Sequence, residues 1–320
     1  MRPELLNNLM PADKSMPINL APIALFVYKR PKHTRETINA LKNNVYAAES
    51  ELFVFSDAPK APKDKPSVTQ VREIINNITG FKTVTVIEQE KNLGLANSII
   101  NGVTKLCNVY GKVIVLEDDL VSSPYFLKYM NEGLAYYEKY KNVFTVCGFS
   151  HNSRVMKKST DYPYDVYFTY RNSSYGWGTW LDRWKLADWD LSDFESFISD
   201  RKRQKLFNNS GDDLTNMLTE QVEGKIDSWS IRWTYSHFKN NALAVYPMYS
   251  YIENIGFDGS GVHYNKPVTK YNNDLTKSKP NPVFVPPFVD EQMLKSFRNI
   301  YKYSLLKKSK RYIARALFKR

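Results

Sequence analysis

The stretch VIVLEDD, Val113–Asp119, joins four apolar residues directly to three adjacent carboxylates. Three of the four apolar residues are β-branched, which is typical of a strand buried on both faces of a sheet. Adjacent carboxylates repel one another, so a site that gathers them usually also holds a cation. Ligands of open α/β sheets bind beyond the carboxyl ends of the strands. We therefore expect a divalent metal and a phosphorylated ligand here, and the alternative for isolated acids is a solvated acidic turn.

Strand and helix patterns alternate through the first half of the chain. The strand patterns cover Ile23–Tyr28, Glu51–Ser56, Lys82–Ile87, Val113–Leu116 and Val143–Cys147. Helical patterns separate them, and Ser123 and Pro124 are predicted as the N-cap and first residue of the helix that ends near Glu138. This alternation predicts an α/β fold with a mostly parallel sheet that is covered on both faces.

The composition narrows the class of protein. With 42% hydrophobic residues in 320, the chain has enough apolar material for one large domain or two small ones. Cys107 and Cys147 both lie in apolar surroundings, which argues against a disulfide scaffold and fits a reducing compartment. No signal peptide and no membrane-spanning stretch is apparent, so we expect a cytoplasmic location. The net charge of +12 favours an anionic partner.

The basic charge is concentrated at the C-terminus. No acid follows Glu291, whereas ten lysines and arginines do. Phe297, Tyr301 and Leu305 are spaced four apart among them, which indicates a basic helix with an apolar face. Such a helix suits an anionic membrane surface, and the alternative is a solvated C-terminal helix. No recognised nucleic-acid motif accompanies the charge, so nucleic-acid binding is not expected.

Seven short motifs follow one another in a characteristic order. They are YKRP (28–31), SDAP (56–59), KNLGLANSI (91–99), VLEDDL (115–120), SSYGWGTW (173–180), DSWSIRW (227–233) and NIGFDGSGVH (254–263). Over residues 21–265 the chain thereby resembles GT-A glycosyltransferases, in particular bacterial family-2-like sugar transferases related to eukaryotic N-acetylglucosaminyltransferase I. The resemblance implies a GT-A fold, in which a Rossmann-like nucleotide-binding sheet with helices on both faces extends into a mixed sheet.

A break near Lys157–Tyr162 and a proline-rich stretch, Lys279–Phe288, predict a division of the chain. Residues 1–20 would form an N-terminal arm, and residues 21–160 the half that binds the nucleotide-sugar. Residues 161–278 would form the acceptor and catalytic half, and residues 279–320 a proline-rich linker with the basic tail.

The motif VLEDDL, read as the EDD (DXD-type) motif, would form the metal site. Asp119 would be the direct ligand of Mn²⁺ or Mg²⁺, because the last acid of the family motif has that role. Glu117 and Asp118 would face the ribose or base and the waters of the metal. His263 would complete the metal shell or contact the diphosphate, and the alternative is a surface loop histidine.

Other motif residues would bind the nucleotide. Asp57 would accept a hydrogen bond from uracil, and the alternative is an Asx turn before Pro59. Arg30 would pair with the donor phosphate or close over the base, unless it is an exposed loop charge. Three residues of one loop would lie beside the nucleotide: Asn92, Gly94 and Asn97. For Gly94 the alternative is a glycine at a helix start.

The tryptophans have two predicted roles. Trp177, between two glycines, would lie in the pocket and stack on a sugar ring. The spacing of Trp180 and Trp184 instead indicates one helix face packed on the sheet.

An inverting transferase needs a carboxylate to accept the proton of the acceptor hydroxyl. Asp227 is the candidate, and the alternative is that it N-caps the following helix. Glu223 and Asp258 are reserve candidates. Arg232 would form an ion pair with the diphosphate or with one of the acids, and the alternative is a structural salt bridge.

The expected function is therefore metal-dependent, inverting transfer of a hexose or N-acetylhexosamine from a UDP-sugar. The acceptor would be a glycan, or a lipid-linked glycan, of a bacterial surface polysaccharide such as capsule or O-antigen. The basic tail would hold the enzyme on the inner face of the plasma membrane as a peripheral protein. One alternative is a sugar-nucleotide nucleotidyltransferase, although YKRPKHT lacks the glycine-rich loop usual there. The other is a non-catalytic basic module that binds membrane or nucleic acid.

Overall fold

The computed structural model describes residues 19–258 and 269–302. Within them the chain forms ten strands: β1 (Ile23–Val27), β2 (Glu51–Ser56), β3 (Thr83–Glu88), β4 (Lys112–Glu117), β5 (Leu120–Ser122), β6 (Val143–Cys147), β7 (Val166–Thr169), β8 (Trp177–Trp180), β9 (Leu243–Pro247) and β10 (Ile252–Asn254). The same part of the chain forms ten α-helices: α1 (Pro31–Lys42), α2 (Lys65–Ile75), α3 (Leu95–Tyr110), α4 (Phe126–Tyr137), α5 (Leu181–Trp184), α6 (Phe194–Ser199), α7 (Arg201–Phe207), α8 (Leu214–Val222), α9 (Trp229–Lys239) and α10 (Glu291–Ile300).

Eight of the strands form one mixed sheet in the order β3-β2-β1-β4-β8-β6-β9-β7. Strands β3, β2, β1 and β4 are parallel, whereas β8 runs antiparallel between β4 and β6. The predicted α/β fold with a mixed sheet is confirmed. Because β7 and β8 follow residue 160 and share a sheet with β6, both predicted halves of the chain contribute to one continuous sheet.

The sheet separates two layers of the core. Ile23, Leu25 and Val27 of β1 belong to one apolar cluster, and Ala24 and Phe26 belong to the cluster on the opposite face. All five side chains are buried. Strand β4 divides its residues in the same way, as expected for strands buried on both faces.

Helix α4 begins two residues later than predicted. Its first residue is Phe126 and its N-cap position is Tyr125, so the prediction of Ser123 as N-cap is wrong. The Ser123 hydroxyl instead accepts a hydrogen bond from the Tyr125 N–H, at 3.4 Å. The Ser123 N–H donates to the Tyr251 carbonyl, at 2.8 Å, and this bond holds the residue in the turn before the helix.

Trp180 and Trp184 lie on opposite faces of the sheet, so the prediction that they share one helix face is wrong. Trp180 is the last residue of β8, and its indole N–H donates to the Leu134 carbonyl of α4 at 3.2 Å. Trp184 ends α5 and donates to the Thr104 hydroxyl of α3 at 2.9 Å. The chain changes from strand to helix between them, which separates their side chains.

Helix α10 packs on the sheet through its apolar face. Met293 and Phe297 are buried with Tyr167 and Tyr246. The Tyr301 ring lies 3.8 Å from the guanidinium carbon of Arg171. The apolar face predicted for a membrane helix is therefore part of the core up to Tyr301, and residues 303–320 lie outside the described part. No helix among the described residues is long and apolar enough to cross a membrane.

Candidate functional site

The carboxyl ends of three neighbouring strands carry the predicted site. Phe26 of β1 pairs with Glu117 of β4, and Val27 pairs with Ser56 of β2. Adjacent strands lie about 4.8 Å apart, so the residues that follow these three strands gather at one edge of the sheet. Helix α1 is separated from the end of β1 by three residues and has Pro31 in its first turn, where proline fits because the first N–H groups need no helical partner.

Asp118 and Asp119 share one cationic partner. Nη2 of Arg30 donates to Oδ1 of Asp118 and lies 3.0 Å from Oδ2 of Asp119. The backbone of Asp118 is fixed as well, because its carbonyl accepts the Thr37 hydroxyl at 2.9 Å. The N–H of Tyr28 reaches Oδ2 of Asp118 at 3.3 Å. Two carboxylates therefore converge on a single positive centre.

The electrostatics of the acid run favour a bound cation. Burial, reinforced by the charges of Asp119 and Asp118, raises the pKa of Glu117 to about 8. Burial also raises the pKa of Asp118, although Arg30 opposes that shift. Negative charge is therefore costly at this edge unless a cation neutralises it.

The acid pair fits a divalent metal in one respect, since Asp118 and Asp119 already direct oxygens at one cationic nitrogen. Among the residues that the structure describes, no three His, Cys, Asp or Glu side chains surround a common metal position. The other ligands would therefore be phosphate oxygens and water, an arrangement that Mg²⁺ commonly adopts.

Gly256 closes the site over Asp119. A Cβ added to Gly256 would lie 2.2 Å from Oδ2 of Asp119 and 3.1 Å from Nη1 of Arg30. The N–H of the preceding residue, Ile255, donates to the Asp119 carbonyl at 2.9 Å. Sequence reasoning missed Gly256 as a site residue, and the available signal was its place in the NIGFDGSGVH motif.

Asp57 holds the loop that precedes α3. Its Oδ1 accepts the N–H groups of Ala58 and Leu93, both at 2.9 Å, and its Oδ2 accepts that of Gly94 at 3.0 Å. Asn92 donates to the Ala58 carbonyl at 2.7 Å. A carboxylate has about four acceptor positions, so Asp57 keeps room for one more donor. The hydrogen bond to uracil stays a prediction.

Gly94 and Asn97 complete this loop. Gly94 has φ of +77°, in the region that favours glycine, and forms the N-cap position of α3. Asn97 donates to the Leu93 carbonyl at 3.1 Å. The loop is therefore built by its own hydrogen bonds, and its contact with a nucleotide stays a prediction.

Asp227 lies beside this loop, at the start of α9. Its Oδ2 is 3.5 Å from the position of a Cβ on Gly94, and its side chain is 61% exposed. Ser228 caps α9 by accepting the Ile231 N–H at 3.3 Å, so the N-cap alternative for Asp227 is wrong. Oδ1 of Asp227 is 3.6 Å from Nη2 of Arg232. Asp227 therefore combines accessibility with a cationic neighbour.

Trp177 is core rather than pocket. Its ring is fully buried and stacks on Trp229 with 4.7 Å between centroids. The Trp184 ring also lies against Trp177, with 5.8 Å between the ring centroids. The expected stacking of Trp177 on a sugar is therefore wrong for this structure, because no face of the ring is accessible. The stack instead anchors the first turn of α9, which follows Asp227.

The two reserve candidates for the base each pair with another side chain, and one metal candidate lies outside the described residues. Glu223 pairs with Lys225 at 2.7 Å, near the end of α8. Asp258 contacts His33 of α1, with 3.1 Å between Oδ2 and Nε2. His263 lies outside the described residues.

Comparison with protein-family models gives no match, and neither does comparison with curated proteins. Among solved structures, the mannosyltransferase PcManGT from Pyrobaculum calidifontis, in complex with GDP-Man and Mn²⁺, is 11% identical. That match covers 53% of this chain and 50% of that chain, with a TM-score of 0.33. S. aureus TarS 1-349, in complex with UDP-GlcNAc, is 12% identical over 72% of this chain and 57% of that one, with a TM-score of 0.39.

A UDP-glucose pyrophosphorylase complexed with UDP-glucose is 14% identical over 52% of this chain and 79% of that chain, with a TM-score of 0.31. The match to the mannosyltransferase spans only about half of that protein's chain. Similarities this low do not assign an activity or a substrate to this chain.

Proposed function

We propose that the protein is a metal-dependent, inverting glycosyltransferase that moves a hexose or N-acetylhexosamine from a UDP-sugar to a glycan. One observation above all supports this: Asp118 and Asp119 converge on a single cationic nitrogen at the carboxyl edge of a parallel sheet. That edge is where α/β sheets bind nucleotides. A nucleoside diphosphate bridged by a cation is a ligand whose charge complements both the acids and Arg30.

In this proposal the donor binds across the ends of β1, β2 and β4. Asp119 would hold Mn²⁺ or Mg²⁺, Asp118 would face the waters of the metal, and Arg30 would donate to the diphosphate. Asp57 and its loop receive the uridine. The metal, when bound, offsets the negative charge that develops on the departing UDP.

Asp227 is the proposed general base. It removes the proton of the acceptor hydroxyl as that oxygen attacks the anomeric carbon, and the bond from that carbon to the diphosphate oxygen breaks. The attack from the opposite side inverts the configuration. The exposure of Asp227 suits contact with an acceptor, and Arg232 orients its carboxylate.

The acceptor is proposed to be a growing bacterial surface polysaccharide such as capsule or O-antigen, in lipid-linked form. The proposed location is cytoplasmic, with the basic C-terminal residues against the inner face of the plasma membrane. The concentration of lysine and arginine after Glu291 supports this.

Calorimetric titration of UDP tests the donor site. We expect binding in the presence of Mn²⁺, and loss of binding with EDTA or in Asp119→Ala. Asp161→Ala, which removes an exposed carboxylate outside the site, is the matched control and should bind as the wild type does.

A panel of UDP-sugars should then be screened for metal-dependent hydrolysis. Unchanged UDP binding in EDTA or in Asp119→Ala would refute the proposal. So would turnover of UTP with a sugar phosphate instead of a UDP-sugar, because that reaction belongs to a nucleotidyltransferase.

A further inference from the structure

Arg30 occupies the position that a metal would need. Its Nη2 contacts carboxylate oxygens of both Asp118 and Asp119. Mg²⁺ binds carboxylate oxygens at about 2.0–2.1 Å, and other small divalent ions bind at similar distances. An ion between the two carboxylates would therefore overlap the guanidinium nitrogen and be repelled by its charge. The acid pair can hold either Arg30 or a metal, but not both in the observed geometry.

Displacing Arg30 is costly unless another anion receives it. Its side chain is only 24% exposed, and those of Asp118 and Asp119 are 6% and 14% exposed. A free divalent cation offers no new partner to the displaced guanidinium. A diphosphate does, because guanidinium groups bind phosphate oxygens through paired N–H donors.

The backbone of Arg30 is held by the first turn of α1, whereas its guanidinium is held by the acid pair. The Arg30 carbonyl accepts the Thr34 N–H and the Thr34 hydroxyl, both at 2.9 Å. The Arg30 side chain is held by its two ion pairs, which a competing anion and cation would replace together.

We propose that Arg30 is a built-in counter-cation, which closes the acid pair to free metal ions and is released by a nucleoside diphosphate. The protein then selects the preformed complex of a divalent metal with the diphosphate over the bare ion. Arg30 moves from the carboxylates to the phosphates as that complex enters. This inference rests on the proposed function, since it assigns a binding order to the same donor site.

Titration with Mn²⁺ alone, followed by electron paramagnetic resonance of the unbound ion, tests the inference without any turnover. Arg30→Gln should bind Mn²⁺ about tenfold or more tightly than the wild type, which corresponds to ~1.4 kcal/mol or more. Arg35→Gln carries the same charge change on an exposed residue of α1 and should match the wild type. Arg30→Lys keeps a cation and should stay close to the wild type, so it tests the inference even if Arg30→Gln does not fold.

The affinity for UDP with Mn²⁺ should change in the opposite direction when Arg30 is replaced. UDP with Mn²⁺ should bind Arg30→Gln more weakly than the wild type, because the phosphates lose a donor pair. Equal Mn²⁺ affinity in the wild type and Arg30→Gln would overturn the inference, as would an equal gain in Arg35→Gln or a full gain in Arg30→Lys.

The two proposals fail in different ways. If no variant binds UDP with Mn²⁺, the proposed function fails, and the titrations with Mn²⁺ alone still decide whether Arg30 competes with the ion. If UDP with Mn²⁺ binds but Arg30→Gln leaves the affinity for free Mn²⁺ unchanged, the proposed function stands and the role of Arg30 falls.

Discussion

Gly256→Ala should disable the acid pair through a single methyl group. The added Cβ would lie 2.2 Å from Oδ2 of Asp119 and 3.0 Å from its Cγ. Carbon and oxygen atoms that are not bonded lie at least about 3 Å apart in folded proteins, so Asp119 must retreat by about 0.8 Å or more. Nη1 of Arg30, at 3.1 Å from the same Cβ, restricts the direction of that retreat.

The displacement sets the expected size of the effect. A shift of about 1 Å in a positioning group costs roughly 10²-fold in catalysis. We therefore expect Gly256→Ala to lower kcat/KM for sugar transfer by about 100-fold, and to weaken binding of UDP with Mn²⁺ by at least about tenfold, or ~1.4 kcal/mol. Overpacking of this kind destabilises a fold by about 1–3 kcal/mol, so the protein should lose stability as well.

A double-mutant cycle with Asp119→Ala isolates the cause. Removing the Asp119 carboxylate removes the main steric conflict, so Gly256→Ala should cost much less stability in that background than in the wild type. Urea unfolding of the four proteins measures this coupling. Equal costs in both backgrounds would refute the reasoning, and so would a Gly256→Ala protein with wild-type affinity for UDP and Mn²⁺.

Two further predictions concern stability and location. Burial lowers the pKa of His237 from 6.5 to about 3, so between these pH values the unfolded chain binds a proton that the folded protein does not. The contribution of neutral His237 to stability is therefore fully present above pH 6.5 and falls as the pH drops towards 3. Within this range the free energy of unfolding of His237→Gln, measured in urea, should change with pH less steeply than that of the wild type, by up to about 1.4 kcal/mol per pH unit. An equal slope in both proteins would contradict this. Deleting residues 303–320 removes seven of the ten basic residues after Glu291 and leaves α10 intact. The truncated protein should therefore no longer bind anionic vesicles in a flotation assay. Unchanged binding would exclude these residues as the membrane-binding segment.

The sequence predicts the strands of the first half well, because their signal is local. An apolar, β-branched run such as Val113–Leu116 has few alternatives to a buried strand, and the acids that follow it must then lie at a sheet edge. The gathering of residues after β1, β2 and β4 follows from parallel pairing alone. The sequence does not predict that Arg30 contacts the two aspartates, since it is expected at the donor phosphate or base.

The surroundings of Trp177 and Phe297 depend on contacts between segments that are distant in the chain. Trp177 looks like a pocket residue because glycines flank it, yet β8 inserts between β4 and β6 and buries it against Trp229. Phe297 looks like a membrane-facing residue because its neighbours are basic, yet β7 and β9 cover it. Spacing along the chain reveals an apolar face but does not reveal which surface covers it.

Burial distinguishes the acid run from a solvated acidic turn. A solvated acidic turn would leave its carboxylates in water, with little effect on their pKa values. Here burial raises the pKa of Glu117 to about 8 and also raises that of Asp118, whose side chain is only 6% exposed. Burying adjacent acids costs free energy, and a solvated turn would avoid that cost. Ionisable groups with strongly shifted pKa values cluster at functional sites. Arg30 lowers that cost in the protein alone, so the burial of these acids favours a cation-binding site over a solvated turn.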